Sequence, residues 1–167
     1  MPTIFRKKDL HFVMRESPID AYRWSTTPRL GQSVHARLLN FDIRSLEPGK
    51  FSFPYHFHRA SEEFFLILSG EISLRTPAGF EKLTEGDMVF FEEGPGSAHQ
   101  LYNHSDSACV YLDVRAAAGI DVSEYPDTGK VAILPGMELF EGANKSEYYK
   151  GEEDVVSKWP QQLIRKG

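Results

Sequence analysis

The chain has 167 residues, the length of one ordinary domain with extensions, and 41% of them are hydrophobic, enough to bury a core without disulfides. Its formal charge of −5, from 19 basic and 24 acidic residues with no basic block, argues against a nucleic-acid partner, because phosphate neutralisation needs clustered Lys and Arg. Cys109 stands alone, which excludes an internal disulfide, and its setting Ala108–Cys109–Val110–Tyr111 reads as a small core residue.

The opening run MPTIFRKKDLHFVMRESP is charged throughout and lacks the apolar stretch of a secretory signal. No segment approaches the roughly 18 apolar residues of a membrane helix. A soluble, cytoplasmic protein is the expectation. Residues 1–33 are mixed in character, with Pro2, Pro18 and Pro28, and read as an N-terminal extension. Residues 34–118 break into short β-rich runs: Val34–Leu46, Glu63–Ser69, Glu71–Thr76, Asp87–Glu92, His99–Asn103 and Ala108–Arg115. Turn clusters such as Glu47–Pro48–Gly49, Glu85–Gly86 and Gly94–Pro95–Gly96 separate them. Short strands at this spacing predict an all-β sandwich or barrel.

Residues 119–167 read as a C-terminal extension packing on that barrel. They offer a further strand at Lys130–Leu134 and an acidic stretch at Glu152–Glu153–Asp154. The end, VVSKWPQQLIRKG, suggests a short helix broken by Pro160. Within the core, Phe64–Phe65–Leu66–Ile67–Leu68 is apolar at both parities, so neither face of that strand should meet water. A second layer is required, either the extensions or a second subunit, and a homodimer is the expected form. Gly70, Gly86, Gly94 and Gly96 are assigned to tight turns of positive φ.

Chemistry concentrates in Gly49-KFSFPY-His56-Phe57-His58-RASE-Glu63-FFLILS-Gly70. Two histidines at i and i+2 on a strand share a face, so both imidazoles can reach one point. Glu63, beyond a short bend, adds a carboxylate oxygen. His99 follows a later Gly-rich turn, from which an antiparallel partner can bring it back. Nitrogen and oxygen donors of this kind suit one divalent ion, Fe, Mn, Ni or Zn. Tyr55, Phe57 and Arg59 are out of step with the histidines and should face away.

This pattern resembles the cupin superfamily over roughly residues 36–118, in the manner of small single-domain bacterial cupins of type 2. The first family motif fits at His56, His58, Glu63 and Gly70, with Gly49 one residue further off than the pattern asks. The second fits at Gly96, His99 and Asn103, with Gly86 two residues further upstream and Pro95 directly before Gly96. These departures fall in turns and not among the ligands. The resemblance implies a double-stranded β-helix, or jelly-roll, barrel carrying a metal near its mouth. The motif spacing to Gly70 also selects Glu63 over Glu62, which reads as a solvated carboxylate or one that backs a ligand.

Residues in step with the ligands should surround the ion, giving a substrate pocket of Phe65, Ile67 and Leu101 that is apolar with few charged groups. Arg37, Arg44 and Arg115 are candidates to meet an anionic substrate, with their facing open. No second acid–base group stands out among the in-step residues. The expected function is a metal-dependent enzyme, an oxygenase, isomerase or lyase, acting on a small organic molecule. The alternative is a non-catalytic small-molecule binding or sensor protein that uses the metal as a ligand anchor.

Overall fold

Frequent turns cut this chain into strands too short for any single one to bury much surface, so stability depends on how they stack. The computed structural model describes residues 1–15, 17–116, 119–142, 146–160 and 163. In chain order the strands are β1 (Val13–Arg15), β2 (Trp24–Thr26), β3 (Leu39–Leu46), β4 (Phe57–His58), β5 (Glu63–Ser69), β6 (Glu71–Thr76) and β7 (Gly79–Thr84). They continue as β8 (Met88–Phe91), β9 (Gln100–Tyr102), β10 (Cys109–Ala116), β11 (Asp121–Tyr125), β12 (Lys130–Leu134) and β13 (Glu138–Phe140). Among the described residues the α-helix is limited to one turn, α1 (Leu30–Ser33), and no helix is long and apolar enough to cross a membrane.

The strands form three sheets: six strands in the order β1-β2-β3-β10-β5-β8, four in the order β13-β12-β11-β4, and three in the order β7-β6-β9. Their strand pairings are antiparallel throughout. The result is the all-β barrel that the strand spacing predicts, in the jelly-roll form the resemblance implies. Its floor is a cluster of Leu46, Phe65, Ile67, Ile72, Leu74, Phe91, Leu101, Cys109 and Tyr111, with Trp24, Leu83 and Val89 packed against it. Each such side chain contributes about 1.5–3 kcal/mol by leaving water. Cys109 belongs to this floor, and burial pushes its thiol up to about 11, as suits an inert core residue.

The loop leading from β5 to β6 shows why a glycine is needed. Gly70 has φ +83°, and a Cβ there would lie 2.9 Å from the Ala108 carbonyl oxygen. Gly86 and Gly94 also adopt positive φ. Gly96 does not, because it sits inside the 3-10 turn Pro95–Ser97.

Three further expectations are corrected. The strand expected over Val34–Leu46 starts only at Leu39, since the chain first forms α1 and a turn in which His35 takes φ 55° and Ala36 N–H bonds the Gly31 carbonyl at 2.8 Å. The C-terminal helix reduces to a 3-10 turn at Val155–Lys158, and its part at 161–162 and 164–167 lies outside the described residues. The outer face of β5 is not closed off: Phe64 and Leu66 are half-buried and Leu68 is exposed, beside exposed Met88 and Phe90 on β8. Among the described residues, the terminal segments add strands edge-on instead of closing over this face. β1 and β2 extend the sheet beyond β3, and β11 pairs with β4. Phe5 does reach the β3 end, edge-on to Phe41 at 5.9 Å.

Candidate metal centre

Backbone pairing delivers the four candidate ligands to one end of the barrel. His56 lies just before β4, His58 ends it, Glu63 opens β5, and His99 lies just before β9. His56 and His99 face each other across an antiparallel bridge and exchange both backbone hydrogen bonds, His56 N–H to His99 O at 3.2 Å and His99 N–H to His56 O at 2.8 Å. The i, i+2 spacing puts His58 on the same side as His56, with ring centroids 5.1 Å apart, and the His56 and His99 rings are 4.8 Å apart. Ligand atoms of His56, His58 and Glu63 all lie within 4.8 Å of one another. Glu63 Oε2 is 3.1 Å from His99 Nε2 and 3.7 Å from His58 Nε2. His58, Glu63 and His99 are buried, whereas the neighbouring Glu62 is exposed.

The outer nitrogens decide what the inner ones can do. His56 Nδ1 lies 2.9 Å from the Pro54 carbonyl oxygen, His99 Nδ1 2.9 Å from the Ser97 carbonyl oxygen, and His58 Nδ1 2.5 Å from Asp121 Oδ2. Carbonyls and carboxylates only accept, so each Nδ1 carries the proton and donates. Each Nε2 therefore offers a bare lone pair to the centre, the orientation that histidine ligands of metals adopt. Glu63 Oε2 and His99 Nε2 are buried and have no hydrogen-bond partner. Two acceptors facing each other at 3.1 Å repel unless a cation lies between them. These orphaned atoms fit a divalent ion bound by three nitrogens and one oxygen.

The electrostatics agree. Burial foremost, and then the neighbouring His99, push His56 down to about 3, so its ring stays neutral. Burial likewise lowers His58, against the pull of Glu63. Burial raises Glu63, and the imidazoles, His99 first, oppose this only with a proton turned toward it; with bare Nε2 atoms facing it, a cation at the centre would take that proton's place. Neutral rings at His56 and His58 are the protonation state a metal requires of them.

The surroundings are more charged than the sequence suggests. Phe91 stacks on His99 with centroids 3.8 Å apart, Phe65 meets the same ring edge-on at 5.5 Å, and Tyr125 lies over His56 at 5.9 Å. Ile67 and Leu101 are sealed into the floor, with 1% and 0% of their surface exposed. Beside them, however, Arg44 on β3 and Asp113 on β10 also point inward. Arg44 pairs through Nη1 with Asp113 and through Nε with Asp42 at 2.7 Å, and its guanidinium lies over Phe53 at 4.7 Å and Trp24 at 5.4 Å. Burial raises Asp113 well above the ordinary carboxylate range, with Arg44 opposing.

The expectation that no second acid–base group stands out among the in-step residues is corrected at Asp113, buried on the inner face of β10. A signal was available: Asp113 is in step with Cys109 and Tyr111, so their burial implies its own. Asp121 had none, because β11 carries no strand signature that stands out from its turn-rich neighbours. Tyr55 and Phe57 do face away, into a separate small cluster with Ala98. Arg59 is exposed and pairs with Glu124 at 2.5 Å.

Residues 43–115, which hold all four candidate ligands, match the family model described as Cupin domain. No curated protein matches it. Among solved structures, the chain is similar to a putative sugar phosphate isomerase from Acidithiobacillus ferrooxidans, with TM-score 0.76 and 23% identity over 86% of this chain and 95% of that one. A sugar phosphate isomerase of the cupin superfamily from Silicibacter pomeroyi gives TM-score 0.74 at 20% identity, over 89% and 98%. A polyketide cyclase from Streptomyces resistomycificus gives 0.60 at 17% identity, over 94% and 97%. At these identities the likeness shows a shared fold.

Proposed function

We propose that this chain is a metal-dependent enzyme, an oxygenase, isomerase or lyase, acting on a small organic substrate. One divalent ion of Fe, Mn, Ni or Zn would be held by His56, His58, Glu63 and His99. The observation that carries the reading is the set of three Nε2 lone pairs, each fixed by an acceptor behind it, converging on a buried and unpartnered carboxylate oxygen. Four protein ligands leave positions open on an ion that accepts five or six, and such an ion supplies Lewis-acid polarisation or oxygen chemistry there.

The chain's own residues shape what can enter. Phe65 walls the site, with Ile67 and Leu101 as its closed floor. Arg115 shares a register position with Glu63 and forms no ion pair among the described residues, so it is the cation available to an anionic substrate group. Arg44 is already engaged by two carboxylates. One observation favours the second reading, a non-catalytic binding protein: Asp113, the further carboxylate on the inner face of β10, is tied to Arg44.

The outer face supports a homodimer. Across β10, β5 and β8 it presents two apolar rows, Val114–Phe64–Phe90 and Leu112–Leu66–Met88, which a second copy would cover.

Elemental analysis of freshly purified protein is expected to find about one divalent ion per chain, and added Mn, Fe, Ni or Zn should raise the melting temperature of stripped protein. Absence of both effects overturns the metal reading. With metal in place, turnover of carbonyl-bearing, anionic or diketone substrates supports the enzyme, and tight binding without turnover selects the second reading.

A further inference from the structure

We infer that Asp121 is a positioning residue of the metal centre, so that β11, outside the family match, completes a site whose ligands all lie within it. The inference rests on the metal reading above and deepens it.

Asp121 is buried and each of its oxygens has a distinct task. Oδ1 accepts the Ala60 N–H at 3.0 Å and the Val122 N–H at 2.8 Å. Oδ2 lies 2.5 Å from His58 Nδ1. One carboxylate thus grips both the His58 ring and the loop that carries the chain on to Glu63. The pairing of β11 with β4 at Ser123↔His58 sets it there. Ser123 Oγ lies 3.1 Å from the same ring nitrogen. A hydroxyl can donate or accept, so Ser123 alone would leave the His58 tautomer open. Asp121 already accepts two backbone N–H bonds through Oδ1, and its Oδ2 accepts from the ring as well. It therefore fixes the ring proton on Nδ1 and turns Nε2 toward Glu63. It also makes that nitrogen a stronger donor to a cation.

Asp121→Asn tests this with little collateral change. The amide oxygen can keep both backbone N–H bonds, while the amide N–H₂ now faces His58 Nδ1 and meets another donor. Relief comes from moving the ring proton to Nε2, where it blocks the metal. Zn²⁺ affinity, measured by competition with a chromophoric chelator, should fall about 10- to 100-fold, while the metal-free melting temperature changes by only a few degrees. Ring ¹⁵N NMR of the metal-free wild type near pH 8 should show His58 protonated at Nδ1, and the variant should show it at Nε2. Unchanged Zn²⁺ affinity in a folded variant overturns the inference. So does a wild-type His58 protonated at Nε2, a measurement that stands even if the variant does not fold. Failure of the wild type to bind Zn²⁺ defeats the metal reading instead, and leaves the tautomer test intact.

Discussion

Along β5 the side chains directed into the barrel are Glu63, Phe65 and Ile67, whereas those directed outward are Phe64, Leu66 and Leu68. By hydropathy the outer set is the better core. Yet the inner set is buried, and the outer set is half-buried or exposed. The inner face extends this inversion onto neighbouring strands, with Arg44, Asp42 and Asp113 beside Glu63. A charge is tolerated inside because a partner stands within reach. An apolar side chain remains outside because nothing among the described residues fully covers it. Partner satisfaction, more than apolarity, separates the two faces of this sheet.

The largest expected effect breaks the inner face at its ligands. His58→Ala or His99→Ala should abolish near-stoichiometric metal, a loss above the roughly 10- to 100-fold expected for a residue behind a ligand. Elemental analysis after gel filtration reads this directly, and full retention of metal would remove these residues from the centre.

Arg44→Met comes next. It leaves Asp113 and Asp42 buried without their cation, and should cost about 3–5 kcal/mol in urea unfolding. A loss below about 1 kcal/mol would show that the carboxylates find another partner.

Acid should act more gradually on the metal-free protein. His56 and His58 are depressed in the fold relative to an unfolded value near 6.5. Above that value both states are neutral and the groups contribute nothing. As pH falls below it, the unfolded chain binds protons that the fold refuses. Stability should decline by about 1.4 kcal/mol per pH unit for each such ring, down toward about 3 for His56. Flat stability between about pH 6 and 4 would contradict the neutral, buried imidazoles.

The smallest effect on the protomer falls on the outer face. Phe90→Ser should shift its stability by no more than about 0.5 kcal/mol, while sedimentation moves from dimer toward monomer. A wild type that sediments as a monomer at all concentrations would leave this face without its second copy.

The convergence of His56, His58 and Glu63 was legible in the sequence because their spacing is a local property. Two histidines at i and i+2, a carboxylate past a bend and glycines at the turns need no knowledge of the rest of the fold. The barrel was legible from turn spacing for the same reason, although β1, β2, β7, β11 and β13 escaped, being short or polar. Asp113 was readable only by applying parity through a strand that looks apolar. Asp121 meets His58 across 63 residues of chain, and Arg44 meets Asp113 across a strand pair. Contacts of that span leave no trace in spacing.

The backbone rung between His56 and His99 has one more consequence. Two of the four donors ride on residues that are hydrogen-bonded to each other, so the bite between their rings is set by the sheet and cannot widen without breaking a rung. Under the metal reading, ions of different radius would have to be accommodated by the remaining arms, His58 and Glu63. Replacing one divalent cation by a larger one should therefore displace the Glu63 carboxylate and the Asp121-backed ring, while the His56–His99 separation stays constant.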